Sequence, residues 1–175
     1  MKSHFLQESL PIFSYSINKD MRYSGYITEQ TRWVLFTPES LTLDFKEYKK
    51  KEDRKWKLRA SEMGFRFPIF RDKSDFKRAL DKATIKTLSK GEAQGIGNVA
   101  LNNSLEDVES MVSSYIKPRD VERIATGLKS KDKLPMPIIL KGKRGLFILA
   151  GNTRLNVSYI MGVKPKVAII DVSGE

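Results

Sequence analysis

The sequence predicts an α/β protein with a mixed sheet, and three neighbouring segments near its end carry this prediction. Residues 146–150 (LFILA) form a short continuous apolar run, which is typical of a strand covered on both faces. The run breaks at once into Gly-Asn-Thr-Arg and resumes with helical spacing up to Gly162. This pattern indicates a tight turn, a helix with Asn152 or Thr153 as its N-cap, and a glycine stop. Residues 166–172 (KVAIIDV) indicate a further strand.

The first half of the chain gives weaker signals of the same kind. Residues 33–36 (WVLF) predict a strand, and the aromatic residues among the first 45 positions predict buried packing, with a stacking platform as the alternative. Residues 75–80 predict the start of a short helix, and residues 84–88 (TIKTL) alternate as an edge strand does. The glycine-bearing segment 89–103 has no clear period, so it predicts a mobile loop.

Two helices and a hairpin are predicted between that loop and the final strands. Ser104 and Asp107 have the spacing of a capping box, and Pro118 suits the first turn of a second helix. Residues 128–137 (LKSKDKLPMP) predict a loop, and residues 137–140 (PIIL) predict a strand. Residues 141–145 (KGKRG) then predict a hairpin turn.

Composition limits the function classes. A chain of 175 residues fits one domain, or one domain with an extension. It has no cysteine and a single histidine, His4, which excludes thiol nucleophiles, disulfides and multi-histidine metal sites. The first 13 residues are too polar for a signal peptide, and no 18-residue apolar run exists. We therefore expect a cytoplasmic protein with no membrane partner.

Positive charge dominates the chain and is unevenly placed. The net charge is +11, and residues 46–90 hold 16 Lys or Arg against 7 Asp or Glu, a net of +9. Such an excess favours a polyanionic partner, and DNA is the one we expect. In residues 45–60 (FKEYKKKEDRKWKLRA) aromatic residues interrupt the basic ones, and aromatic faces can stack on unpaired bases. Alternatively, the segment is a solvated helix whose aromatic residues anchor it to the body. The predicted DNA-binding residues are Lys49, Lys50, Lys51, Arg54, Lys55, Trp56 and Lys57.

The C-terminal half resembles the ParB-like nuclease/sulfiredoxin superfamily. The resemblance covers about residues 84–172 and is carried by the Pro-Ile-Ile-Leu strand, the hairpin, the Gly151-Asn152-Thr153-Arg154 turn, and Met161-Gly162. It implies a ParB/sulfiredoxin-like core at 84–175, preceded by an aromatic and basic extension at 1–83. Sulfiredoxins have a cysteine where this chain has Asn152, so their chemistry is not expected. One turn arginine and the chain's end at Glu175 favour a stand-alone member, often phage or plasmid borne.

The resemblance and elementary physics both suggest a phosphate site at the turn. A helix N-terminus presents unpaired N–H groups and a positive dipole end, and Arg154 offers a planar fork. Residues Gly151, Asn152, Thr153 and Arg154 would then hold ATP, CTP or a DNA phosphate. Alternatively, Asn152 only caps the helix and Arg154 makes a surface salt bridge. Family members place an acid after their first strand, which implies a catalytic role for Glu92; Glu122 is a second candidate, and Mg²⁺ a possible cofactor.

Three functions are compatible with these features. The first is a DNA-acting nuclease or nucleotide hydrolase. The second is a non-catalytic DNA-binding or inhibitory module, and the third is a nucleotide-dependent kinase acting on a small molecule such as free serine. The sequence leaves the nucleotide, the metal, the DNA preference and the oligomeric state open.

Overall fold

A computed structural model describes residues 32–113, 121–130 and 132–174. The predictions made for His4 and the other residues before Arg32, and for Pro118, lie outside these described ranges. The described residues form six strands, seven α-helices and one π-helical turn. This confirms the predicted α/β class with a mixed sheet. Among the described helices, none is both long and apolar enough to span a bilayer.

The elements alternate irregularly along the chain. The strands are β1 (Arg32–Val34), β2 (Thr84–Thr87), β3 (Lys133–Pro135), β4 (Ile138–Gly142), β5 (Gly145–Ala150) and β6 (Lys166–Asp171). The helices are α1 (Pro38–Lys50), α2 (Lys57–Met63), α3 (Lys73–Asp81), α4 (Lys90–Gln94), α5 (Leu105–Ser113), α6 (Val121–Lys129) and α7 (Asn152–Ile160). The π-helical turn, Glu52–Trp56, joins α1 to α2 almost without interruption.

The main sheet has four strands in the order β2-β6-β4-β5. Strands β4 and β6 are parallel, while the β2–β6 and β4–β5 pairs are antiparallel. A separate parallel pair joins β1 to β3, with Trp33 opposite Leu134. The predicted edge strand at residues 84–88 and the hairpin at 141–145 are therefore confirmed. Strand β3 lies in a segment that was predicted to be a loop. The prediction missed it because these three residues form a strand only by pairing with the distant β1.

Both faces of the main sheet are covered at β4 and β6, which explains their continuous apolar runs, whereas the edge strand β2 is exposed. Ile138 and Leu140 pack into a cluster with residues of α1, α2 and α3. Ile139, between them, faces a second cluster that includes Leu155 of α7. A single cluster thus contains Trp56, Phe76 and Leu140, so the predicted boundary between residues 83 and 84 does not separate two hydrophobic cores.

Segment 89–103 was predicted to be a mobile loop, and its first part is instead helix α4. Ser89 and Glu92 form a capping box: the Ser89 amide donates to Glu92 Oε2 at 2.9 Å, and Ser89 Oγ accepts from the Glu92 amide at 3.3 Å. Ala93 is fully buried in the cluster beneath the helix. The capping box, the buried Ala93 and the hydrogen bonds from the Tyr159 hydroxyl to the Leu88 and Ser89 carbonyls all stabilise this turn.

Candidate functional site

The turn between β5 and α7 is tight and closed. Gly151 is the N-cap of α7 with φ of 94°, so the predicted N-cap role of Asn152 or Thr153 is wrong. A Cβ at Gly151 would lie 2.7 Å from the Cα of Pro137, which leaves no room for a side chain. Thr153 is only 3% exposed. Asn152 Oδ1 is buried and has no hydrogen-bond donor among the described residues.

Arg154 is directed into the protein. Its Nη1 donates to the carbonyl oxygen of Pro135 at 2.7 Å, and its Nη2 lies 3.8 Å from Oδ2 of Asp44 in α1. The two side chains are 13% and 18% exposed, so this is not the surface salt bridge considered from the sequence. The guanidinium joins α7, the end of β3 and α1. A phosphate at this turn would have to compete with the Pro135 carbonyl and with Asp44.

We expect Arg154→Ala to lower the free energy of unfolding by about 2 kcal/mol, measured by urea denaturation. The substitution leaves the Pro135 carbonyl without this donor and removes the charge facing Asp44, and hydrogen bonds to charged groups contribute about 1.5–3 kcal/mol. The matched control is Lys141→Ala, which removes an exposed ion pair to Asp171 and should cost less than about 1 kcal/mol. Unchanged stability of Arg154→Ala together with lost nucleotide binding would instead support the phosphate site.

The Glu92 carboxylate lies at the surface, and both of its oxygens accept hydrogen bonds. Its Oε2 accepts from the amide and the hydroxyl of Ser89, and its Oε1 accepts from Nζ of Lys86 at 2.6 Å. The Lys86 hydrogen bond, followed by those from Ser89, lowers the pKa of Glu92 to about 2. A carboxylate with so low a pKa is a weak base. Its visible role is to cap α4, and its predicted catalytic role gains no support from this geometry.

Glu122 lies in the first turn of α6, exposed, beside a shallow open depression that also includes Arg123, Thr126 and Asp132. Glu92 does not line this depression. Within the described ranges, no three His, Cys, Asp or Glu residues are grouped so as to hold a metal ion. The two predicted catalytic acids are thus not brought together, and Mg²⁺ binding stays a prediction.

The predicted DNA-binding residues fall on α1 and its C-cap Lys51, the π-helical turn and α2, and they differ in their partners. Lys49 pairs with Glu52, while Lys50 lies 3.1 Å and Lys51 3.9 Å from Glu47. Arg54 and Lys57 are exposed. Trp56 is 1% exposed and packs edge-to-face on Phe147, so its predicted base-stacking role is wrong. The aromatic residue anchors the segment, as the alternative from the sequence proposed.

The β4–β5 hairpin brings further cations to the C-terminal end of α2. Arg144 donates from Nε to the Glu62 carbonyl at 2.8 Å and from Nη2 to the Ser61 carbonyl, so it caps the C-terminal end of α2. The Lys143 amide donates to the Gly64 carbonyl at 3.3 Å. Phe147 belongs to β5 of the same hairpin, and the Arg59 guanidinium lies 5.2 Å from the centre of its ring. We call the surface formed by Lys51, Lys55, Arg59, Lys143 and Arg144 the basic surface.

Sequence reasoning missed Arg59, Lys143 and Arg144 as members of this surface. Arg59 stands inside the basic run and carried a usable signal. Lys143 and Arg144 gave no signal in the sequence beyond their positive charge, because long-range packing determines their position on α2.

The order of elements from β2 to β6 agrees with the order predicted for residues 84–172, apart from the added α4 and β3. Comparison of the chain with protein-family models, with curated proteins and with solved structures finds no match in any of the three. The resemblance to the ParB-like superfamily therefore stays a prediction, and the function has to be argued from the chemistry of the chain's own residues.

Proposed function

We propose that this chain is a DNA-binding module that holds the phosphate backbone on its basic surface. The supporting observation is that two separate basic segments meet at α2. Lys55 and Arg59 of the helical run 51–59 lie over the Phe147 ring, and the hairpin residues Lys143 and Arg144 contact the C-terminal end of α2. Lysine and arginine side chains neutralise phosphates and release counterions, which provides most sequence-independent affinity. The net charge of +11 adds long-range attraction for the same partner.

Binding is favoured over catalysis because Arg154 of the predicted phosphate turn and Glu92, one of the two predicted catalytic acids, have structural contacts, while the exposed Glu122 is not brought together with Glu92. Arg154 contacts Pro135 and Asp44, and Glu92 caps α4. The nuclease, the ATP- or CTP-dependent hydrolase and the small-molecule kinase all need groups at the turn that are directed toward a ligand. These remain hypotheses. Mg²⁺- or Mn²⁺-dependent digestion of plasmid DNA by the purified protein, lost in Arg154→Ala, would support them against our proposal.

Binding to duplex DNA is expected to weaken steeply with salt. Each neutralised phosphate contributes a slope of about −0.9 to the plot of log affinity against log salt concentration. Replacing Lys51, Lys55 and Lys143 by glutamine should therefore flatten the slope by about 3, as measured by fluorescence anisotropy between 50 and 200 mM salt.

The control for this experiment removes the same charge elsewhere. Lys77, Lys86 and Lys141 lie outside the basic surface and each pairs with a carboxylate, and their triple glutamine variant should keep most of the slope. Equal losses in both triple variants would mean that the net charge, and not the basic surface, attracts DNA. No binding of the unaltered protein at 50 mM salt would overturn the proposed function.

A further inference from the structure

We infer that Lys51, Lys55 and Arg59 form one phosphate-binding site with Lys55 at its centre, and that DNA binding there is coupled to protonation of Lys55. The inference rests on the proposed function and deepens it. It selects, from the many cations of the chain, the three that receive a backbone phosphate. It also predicts a pH dependence that a surface of ordinary lysines does not have.

Backbone geometry places the three cations in a row. The Lys55 amide donates to the Lys51 carbonyl at 2.9 Å, so these residues stand one turn apart. Arg59 follows four residues later in α2, which continues directly from the π-helical turn. Residues at this spacing lie on the same side of a helix. The three cations thus offer hydrogen-bond donors to a single phosphate group or to two successive ones.

Buried rings fix the position of the central ammonium group. Lys55 Nζ lies 5.0 Å from the ring centre of Trp56 and 5.4 Å from that of Phe147, within the range of cation–π attraction. The Arg59 guanidinium lies over the same Phe147 ring. Trp56 and Phe147 are 1% and 2% exposed, so the core holds both rings in place. The site is therefore arranged before the ligand arrives, which reduces the entropy lost on binding.

The charges around Lys55 are unfavourable until an anion binds. Burial, together with the positive charges of Lys51 and Arg59, lowers the pKa of Lys55 to about 8. No carboxylate in the described ranges offsets these effects on Lys55. Three acids of this region contact other cations: Glu52 pairs with Lys49, Glu47 with Lys50 and Lys51, and Glu62 with Arg59. The fourth, Asp53, is exposed in the π-helical turn.

A phosphate would stabilise the charged form of Lys55 and return its pKa toward the ordinary value. Above pH 8 the free protein has lost the Lys55 proton and must take it up again on binding. By linkage, affinity then falls as pH rises.

The decisive experiment compares Lys55→Arg with the unaltered protein on one DNA duplex at constant ionic strength. Between pH 7 and 9 the affinity of the unaltered protein should fall about 10-fold, because the folded-state pKa near 8 lies inside this interval. Arginine stays charged throughout, so Lys55→Arg should bind at pH 9 as it does at pH 7. The matched control Lys49→Arg should keep the 10-fold fall. The α-amino group also titrates in this interval, but its contribution would persist in Lys55→Arg.

A neutral variant, Lys55→Met, separates lost binding from misfolding. It should bind weakly at both pH values, yet have a higher Tm at pH 7 than the unaltered protein, because a half-buried charge beside two cations has been removed. The pKa of Lys55 is lower in the folded state than in the unfolded state. By linkage, the stability of the unaltered protein therefore rises from pH 8 to about 10.5. The Tm of Lys55→Met should lack this rise.

Two outcomes are distinguished. If DNA binds without the pH dependence, or if Lys55→Arg retains it, the phosphate site is not at Lys55, although the proposed function stands. If the unaltered protein binds no DNA at any pH, the proposed function itself is overturned.

Discussion

Replacing Trp56 by alanine is expected to lower the free energy of unfolding by about 4 kcal/mol, within the range for truncating a buried tryptophan. The indole packs edge-to-face on Phe147 at 5.6 Å and is tilted against Tyr48 at 6.1 Å. Truncation removes these contacts and opens a cavity between the π-helical turn and the sheet. Urea denaturation monitored by circular dichroism would measure the loss.

The matched control is Trp56→Phe, which should cost less than about 1.5 kcal/mol. The indole Nε1 is buried without an acceptor in the described part of the chain, so phenylalanine removes an unsatisfied donor and keeps most of the ring packing. Base stacking by Trp56 predicts the opposite pattern, namely unchanged stability and weaker binding to single-stranded DNA in Trp56→Ala. That pattern would contradict the buried anchor described above.

The features predicted well from the sequence are those that local periodicity determines. The apolar run ending at Ala150 became β5, the glycine stop at Gly162 follows α7, and the alternating TIKTL segment became the edge strand β2. Each of these depends on residues within one turn or one strand. The helix at Leu105 likewise follows from its cap, since Ser104 Oγ accepts from the Asp107 amide at 3.1 Å.

The candidate site could not be predicted to the same extent, because its chemistry depends on contacts between distant parts of the chain. Arg154 stands at a helix N-terminus in the sequence, but the Pro135 carbonyl and Asp44 in α1 determine where its guanidinium points. The glycine at 151 signals a special backbone angle, whereas its closeness to Pro137 is visible only in the fold. The alternation of cations and aromatic residues around Trp56 is equally compatible with stacking and with anchoring, and burial decides between them.

Gly142→Ala is expected to lower the free energy of unfolding by about 3 kcal/mol, at the upper end for inserting a group into a packed region. A Cβ at this position would lie 2.2 Å from the Met63 carbonyl oxygen and 2.6 Å from Cδ1 of Phe65. Backbone cannot yield to such a contact without moving the hairpin away from α2. The matched control is Gly91→Ala in α4, where a Cβ meets nothing within 4 Å, and its stability should be unchanged or slightly increased.

This substitution also tests how the basic surface is assembled. The hairpin carries Lys143 and Arg144, and its close approach to α2 determines where these two cations lie relative to Lys55 and Arg59. Gly142→Ala should therefore weaken DNA binding even at a temperature where the variant is still folded, and it should flatten the salt dependence. Gly91→Ala should bind as the unaltered protein does. If Gly142→Ala retained full stability, the hairpin would not be packed on α2, and a two-segment basic surface would lose its structural basis.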